Sequence, residues 1–248
     1  ALLGKRVPAS LKVFLTALAV IDDLGAILII AFFYSQGISF FHLGIALGIF
    51  AVLIVLNRLK INNLIPYIVG GVAMWYFMLH SGVHATISGV LLAFAIPFGD
   101  GGDQSPSYKL QHVLHKPVAF IVLPLFALAN TCIVIQHGWI SDLGSSSSIG
   151  IFAGLILGKP IGVVLMSVLA VTLGIGNLPK ELTWKYIIGA GMLAGIGFTM
   201  SIFITLLAFD QPGFVAASKI SIMLTSLLAA IIGLVWLRMV LKPNSSEL

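Results

Sequence analysis

The stretch Ala17–Ala26 reads ALAVIDDLGA and places two adjacent carboxylates, Asp22 and Asp23, inside an apolar run. A third charge, Lys159, lies in a later apolar run that reads GKPIG over Gly158–Gly162. A charge at the centre of a membrane helix costs roughly 2.5 to 3.5 kcal/mol. Charges retained at such positions face a partner or a water-filled cavity, so these three residues are the first candidates for a functional site.

The composition is that of a membrane protein, because 59% of the 248 residues are hydrophobic and 8% are charged. Soluble domains carry about 25% charged residues. The apolar blocks are continuous and do not alternate with period two, which favours helices over a membrane barrel. We predict an all-α, polytopic membrane protein with a single transmembrane domain. Eight spans are predicted near residues 10–33, 40–57, 63–79, 83–98, 117–136, 149–173, 186–209 and 214–240.

Basic residues occur only on every second predicted loop, and by the positive-inside rule these loops and both termini of this segment are cytoplasmic. The polar stretch 99–116 is predicted to be a flexible connection, and residues 145–148 a serine linker. The scattered positive charge argues against nucleic-acid binding. The basic residues used for this orientation lie on the loops or at the span ends: Lys5, Arg6, Arg58, Lys60, Lys109, Lys116, Lys180, Lys185, Arg238 and Lys242.

The two aspartates are expected to have different roles, because adjacent helical residues point about 100° apart. One carboxylate can neutralise Lys159. The other can face a hydrated cavity and bind a hard cation together with backbone carbonyls and water. Protons compete with the cation for such a carboxylate, so the pattern predicts a site that holds either one. The alternative is a structural ion pair that only specifies helix packing.

Small and helix-breaking residues accumulate in the sixth and seventh spans. Glycines recur at intervals of four around Lys159-Pro160, and proline removes a backbone hydrogen bond. Tight helix packing is one explanation. Beside a buried aspartate pair, an interrupted helix that lines an ion site is the favoured one. The candidate lining residues of that broken helix are Gly195, Gly197, Thr199 and Ser201.

Five stretches, in family order across essentially the whole chain, resemble the NhaA family of sodium/proton antiporters. The resemblance implies an inverted-repeat transporter fold with broken helices. The stretches of ALAVIDDLGA and GFTMS type are the most specific ones. They are Ala17–Ala26, Ser81–Thr86 (SGVHAT), His112–His115 (HVLH), Gly158–Gly162 (GKPIG) and Gly195–Phe203 (GIGFTMSIF).

The resemblance implies electrogenic exchange of cytoplasmic Na⁺ or Li⁺ for external H⁺ in the bacterial inner membrane, without a cofactor and without enzymatic activity. Asp23 would be the principal sodium and proton ligand. Asp22 would be its partner, paired with Lys159 in one state. The family forms homodimers and has twelve spans. The first four, which include a dimerising hairpin and a second broken helix, are expected upstream of Ala1.

The resemblance also assigns pH response to His84, His112 and His115. An acidic residue usually precedes the first histidine of the HVLH stretch, whereas this chain has Gln111. An interfacial histidine can equally be an amphipathic boundary residue. The histidines are therefore expected to influence a charge-dependent step, without the carboxylate that the family places beside them.

Three other functions are weighed against antiport. A sodium-coupled solute symporter of related fold would need more polar side chains at the helix crossing. An intramembrane aspartyl protease needs its two aspartates on separate helices, whereas here they are neighbours on one. The chain could also be an inactive fragment or a structural subunit.

Overall fold

The computed structural model describes residues 3–35, 37–99, 101–133 and 143–241, and over these ranges it contains helices and no β-strand. The predicted all-α fold is confirmed. A 3₁₀ turn, Gly4–Arg6, precedes the first helix. In the described ranges the helices are α1 (Ala9–Phe33), α2 (Phe40–Arg58), α3 (Leu64–His80), α4 (Thr86–Ala95), α5 (Pro106–Thr131), α6 (Ser146–Thr172), α7 (Trp184–Ala194), α8 (Phe198–Ala208) and α9 (Pro212–Val240).

Among the described residues, five helices are long and apolar enough to cross a bilayer: α1, α2, α5, α6 and α9. Helices α7 and α8 form a sixth candidate span, bent by 45° at a short break. Helices α3 and α4 are apolar but shorter. Many large apolar side chains point outward, including Phe32, Phe40 and Phe120, each more than three-quarters exposed. The chain is a multi-pass membrane protein, and the count of eight spans stays a prediction.

Two polar stretches that we expected to be loops are helix starts. Helix α5 begins at Pro106, well before the predicted residue 117, because Ser105 Oγ accepts a hydrogen bond from the Tyr108 N–H at 3.3 Å. Helix α6 begins in the serine run, where Ser145 Oγ accepts from the Ser148 N–H at 3.3 Å. Serine at the N-cap and proline at the first helical position both favour a helix start. Residues 134–136 of the predicted fifth span lie outside the described residues.

The chain divides into two compact units. The first contains residues up to Asp23, which include the part of α1 from Ala9 to Asp23, and the chain from Asn130 onward. Its core joins the start of α1 to α7 and to the end of α9. Glycines allow α7 and α9 to approach closely, since a methyl group at Gly189 would lie 2.5 Å from a Leu237 side-chain carbon. The buried core residues are Leu11, Leu182, Ile187, Ala190, Leu237 and Leu241.

The second unit is Leu24–Ala129 and is built around the hairpin of α2 and α3. Tyr67 is fully buried, and its hydroxyl donates to the Ile61 carbonyl at 3.0 Å. Asn57 Nδ2 donates to the Ala95 carbonyl at 2.8 Å and so holds the end of α4 against α2. Burial of apolar side chains between these helices stabilises the unit.

Candidate ion-binding site

Lys159 of α6 forms an ion pair with Asp22 of α1. Its Nζ atom donates to Asp22 Oδ2 at 2.6 Å, which is the short distance of a charge-assisted hydrogen bond. The Asp22 side chain is 45% exposed and the Lys159 side chain 26% exposed. The pair therefore borders an open space, where an ion can replace one partner.

That space is a cavity of about 230 Å³, and Asp23 lines it together with the ion pair. In the part of the chain that the structure describes, no hydrogen bond reaches the Asp23 carboxylate, whereas Asp22 is bonded to Lys159. The two carboxylates therefore differ as their positions on one helix require. Asp23 presents its carboxyl group to the cavity. The remaining walls are apolar: Leu15, Leu18, Ala19, Val163, Leu193, Ala194 and Ile196.

A π-helical segment, Gly154–Gly158, directly precedes Lys159 within α6. The Lys159 N–H bonds to the Gly154 carbonyl five residues back, and not to the Leu155 carbonyl four residues back. Pro160 has no N–H to offer. The Leu155 carbonyl therefore accepts no hydrogen bond from Lys159, four residues further along the helix, or from Pro160, five residues further along. The wider turn accommodates the proline, and π-segments of this kind occur frequently at functional sites.

The break between α7 and α8 lies against this π-segment. Gly195 is buried, and a methyl group added there would lie 2.5 Å from the Leu155 carbonyl oxygen. One turn earlier, a methyl group at Gly191 would lie 3.1 Å from Pro160 Cα. Only glycine permits both approaches. The helix break and the segment that carries Lys159 are therefore in direct backbone contact.

The structure brings part of the predicted broken-helix lining to the carboxylates. The break reaches the cavity through Leu193, Ala194 and Ile196. Gly195 and Gly197 are buried and are not among the residues that line the cavity. Thr199 and Ser201 are half-buried on α8, outside the residues that line the cavity, and the Ser201 N–H donates to the Gly197 carbonyl at 2.7 Å. The roles of these four residues stay predictions.

The three predicted pH-response histidines belong to the second unit. His112 and His115 are exposed on α5, and the His112 ring stacks on Tyr108 with centroids 6.1 Å apart and an interplanar angle of 11°. His84 follows α3 and is half-buried. Gln111, the neutral residue before His112, is exposed as well. No observation tests their part in pH response.

Sequence analysis did not single out Lys219, which is only 8% exposed on α9. It lies in a row of buried polar residues along this helix, where Ser221 Oγ donates to Ser148 Oγ of α6 at 2.8 Å. Thr225 Oγ1 continues the row by donating to the Ser221 carbonyl at 2.6 Å. The signal was available, since Lys219 falls inside the predicted span 214–240.

Over the described residues there is no group of three or more His, Cys, Asp or Glu side chains that could hold a metal ion tightly. The chemistry of the cavity is instead that of oxygen ligands for a hard cation, with one carboxylate paired and one unpaired. Hard alkali and alkaline-earth cations bind carboxylate, carbonyl and water oxygens. A loosely held, exchangeable ion fits this donor set.

Comparison with known proteins gives one consistent result. Residues 1–237 match the family model described as Na⁺/H⁺ antiporter 1. The Na(+)/H(+) antiporter NhaA of Cytophaga hutchinsonii is 64% identical over 248 residues, which cover 100% of this chain and 64% of that protein. The Na(+)/H(+) antiporter NhaA 1 of Flavobacterium johnsoniae is 62% identical, covering 99% of the chain and 64% of the relative.

A more distant relative is the Na(+)/H(+) antiporter NhaA of Escherichia coli, 47% identical over 98% of the chain and 63% of its own length. The chain spans about 64% of the length of the curated relatives that it matches. The family match covers both the helix that carries Asp22 and Asp23 and the segment that carries Lys159. The chain belongs to the Na⁺/H⁺ antiporter 1 family.

Proposed function

We propose that the protein exchanges cytoplasmic Na⁺ or Li⁺ for external H⁺ across the bacterial inner membrane, and so contributes to sodium and pH homeostasis. The observation that carries the proposal is the division of the aspartate pair, in which Lys159 holds Asp22 while Asp23 faces the same cavity without a described partner. The curated relatives are named Na(+)/H(+) antiporters, in agreement with this chemistry.

The charge of the cluster explains why a monovalent cation binds. Two carboxylates and one ammonium leave one formal negative charge, which one Na⁺ or one proton on Asp23 neutralises. A charge left unbalanced at mid-membrane is costly, so the site favours being occupied by one or the other. Asp23 is therefore the group at which sodium and protons compete.

Electrogenic exchange follows if the sodium ion takes oxygens from both carboxylates. Sodium then displaces the Lys159 ammonium from Asp22, and electrogenic exchange requires a second proton to leave the site in the same step. Asp23 would carry one of the two protons, and Lys159 is the candidate carrier of the other. More protons than sodium ions would cross per cycle, and the membrane potential would help to drive the exchange.

The walls of the cavity favour antiport over symport of an organic solute. Apart from the three charged residues, the lining consists of aliphatic side chains, which offer no groups to bind a polar solute. Both aspartates lie on α1 as direct neighbours, which also disfavours a protease dyad. The resemblance supports a homodimer, and the distribution of basic residues over the loops supports cytoplasmic termini for this segment; both are included in the proposal.

The test is exchange by the intact protein in proteoliposomes that contain a pH-sensitive dye. A sodium pulse should change the internal pH with the wild type and not with Asp23→Asn, since the amide keeps the size of the side chain but binds neither a proton nor a cation tightly. The matched control is Asp103→Asn, which changes an exposed acid in the second unit. Normal exchange by Asp23→Asn would refute the assignment.

Lys159→Gln tests the electrogenic step separately. If Lys159 carries a proton, the variant that still exchanges should lose its response to an imposed potassium-diffusion potential. A variant whose exchange rate follows the potential as the wild type does would place the second proton elsewhere.

A further inference from the structure

Two histidines of the second unit lie together at one end of the α2–α3 hairpin. His42 is in the first turn of α2 and His80 is the last residue of α3, and their ring centroids are 6.0 Å apart. His42 is half-buried and His80 is exposed. The proposed antiport mechanism uses neither residue.

The Nδ1 atoms of both rings are fixed by local hydrogen bonds. His80 Nδ1 bonds to the Tyr76 carbonyl at 2.9 Å, which requires the proton on Nδ1 and leaves Nε2 with a free lone pair. His42 Nδ1 lies 2.8 Å from Ser39 Oγ, and the serine oxygen can accept from it in the same way. Metal-binding histidines commonly donate the second ring N–H to a carbonyl or another oxygen, which fixes the ring and its tautomer.

The backbone around the two rings is also held in place. The Ser39 N–H donates to the Ser81 carbonyl at 2.9 Å, which ties the start of α2 to the end of α3. The Tyr76 ring packs on His80 with centroids 4.4 Å apart. The two imidazoles are thus presented from adjacent helices with little freedom left to lose on binding, and such preorganisation lowers the cost of binding an ion.

We propose that His42 and His80 form a site for a divalent transition-metal ion, Zn²⁺ or Cu²⁺, bound through the two Nε2 atoms with water completing the coordination. Imidazole is a preferred ligand of both ions. Two nitrogens on one Zn²⁺ lie within about 4 Å of each other, given Zn–N bonds of about 2 Å, and ring centroids 6.0 Å apart are compatible with that separation. The bound ion links α2 to α3.

The two loops that flank the histidine pair carry no charged residue. Neither Tyr34–Ser39 nor Ser81–Ala85 contains a lysine, arginine, aspartate or glutamate, so no formal charge of these loops opposes or replaces the metal. Both are loops that the charge distribution assigns to the external side. The site therefore senses external metal, and protons compete for it because each histidine must be neutral to bind.

The experiment is Zn²⁺ binding to the intact protein, purified in detergent without a histidine tag, by equilibrium dialysis at pH 7.5. We expect one Zn²⁺ per chain that is lost at pH 5. His42→Ala and His80→Gln should each weaken binding at least tenfold. His112→Ala and His115→Ala, which alter exposed histidines on α5, should bind as the wild type does.

A second measurement distinguishes loss of metal binding from poor folding of a variant. Cu²⁺ added to the wild type should give an electron paramagnetic resonance spectrum with coupling to two nitrogens, and His80→Gln, checked by its size-exclusion profile, should reduce this to one or none. No stoichiometric binding by the wild type would overturn the proposal. Unchanged binding by both the His42 and the His80 variant would overturn it equally, since the ion would then lie elsewhere.

Discussion

Replacing Gly195 by alanine tests whether the helix break and the π-segment of α6 must remain in contact. The new methyl group would lie 2.5 Å from the Leu155 carbonyl oxygen, 3.0 Å from the Met192 carbonyl oxygen and 3.2 Å from Ala229 Cβ. Two of these neighbours are backbone atoms, which cannot move aside by changing a rotamer. Overpacking of this kind costs about 1–3 kcal/mol.

The cost is offset only in part by the lower backbone entropy of alanine, worth up to about 1 kcal/mol in a helix interior. Gly195 lies at the end of α7, where that gain is smaller. We expect Gly195→Ala to lower the free energy of unfolding by about 1–2 kcal/mol. The methyl group also pushes the break away from the segment that carries Lys159, so the rate of sodium-driven exchange should fall along with stability.

The assay compares thermal unfolding by tryptophan fluorescence and exchange in proteoliposomes for Gly195→Ala and a matched control, Gly48→Ala. Gly48 is in the interior of α2, with no atom within 4 Å of an added methyl group, so its replacement should leave stability equal or slightly higher. If the two variants had equal melting temperatures and equal exchange rates, the contact between the break and the π-segment would not matter for either property.

Three further changes probe the packing around the site and in the second unit. Lys159→Ala should lower the free energy of unfolding by about 1–2 kcal/mol. This is less than the loss of about 3–5 kcal/mol expected when a fully buried ion pair is broken, because the Asp22 side chain is 45% exposed. Lys159→Arg should recover most of the lost stability. Tyr67→Phe removes a hydroxyl that bonds a loop carbonyl at 3.0 Å and should cost about 0.5–1.5 kcal/mol without altering exchange. Ser221→Ala breaks the 2.8 Å bond to Ser148, and in a double-mutant cycle with Ser148→Ala the two changes should be non-additive; additive costs would mean that the bond contributes nothing.

The positions of the helices could be predicted because each is encoded by a continuous apolar run, independent of distant residues. The starts of α5 and α6 were missed although the signal was local. Ser105-Pro106 and the serine run at 145–148 were interpreted by their polarity, whereas their capping chemistry determines the backbone. A capping serine satisfies otherwise free N–H groups at a helix start, and this effect outweighs the unfavourable composition of a polar first turn.

The carboxylate site could be predicted in its members but not in its geometry. Helix periodicity requires that Asp22 and Asp23 face different directions, yet which one meets Lys159 depends on the rotation of α1 against α6, which no local pattern records; only the family resemblance assigned this pairing to Asp22. The π-helical segment before Lys159 accommodates Pro160 within a continuous helix. It could be predicted only if the helix were already known to continue through the proline. The proximity of His42 and His80 depends on the register of α2 against α3. No sequence motif encodes that register, so sequence analysis did not identify the pair.

The adjacency of two carboxylates has a physical consequence that one carboxylate could not reproduce. A single aspartate paired with Lys159 would leave a neutral site with no attraction for a cation, and a single unpaired aspartate would bind sodium or a proton without involving the lysine at all. With both present, Asp23 attracts the cation while Asp22 lies one residue away on the same helix and can join its coordination. In the proposed mechanism, sodium binding would compete with the ammonium for Asp22 as well as with the proton for Asp23. Because both competitions would occur in one cavity of about 230 Å³, the proposal predicts that the cation and the protons exclude each other, which is the property that an exchanger requires.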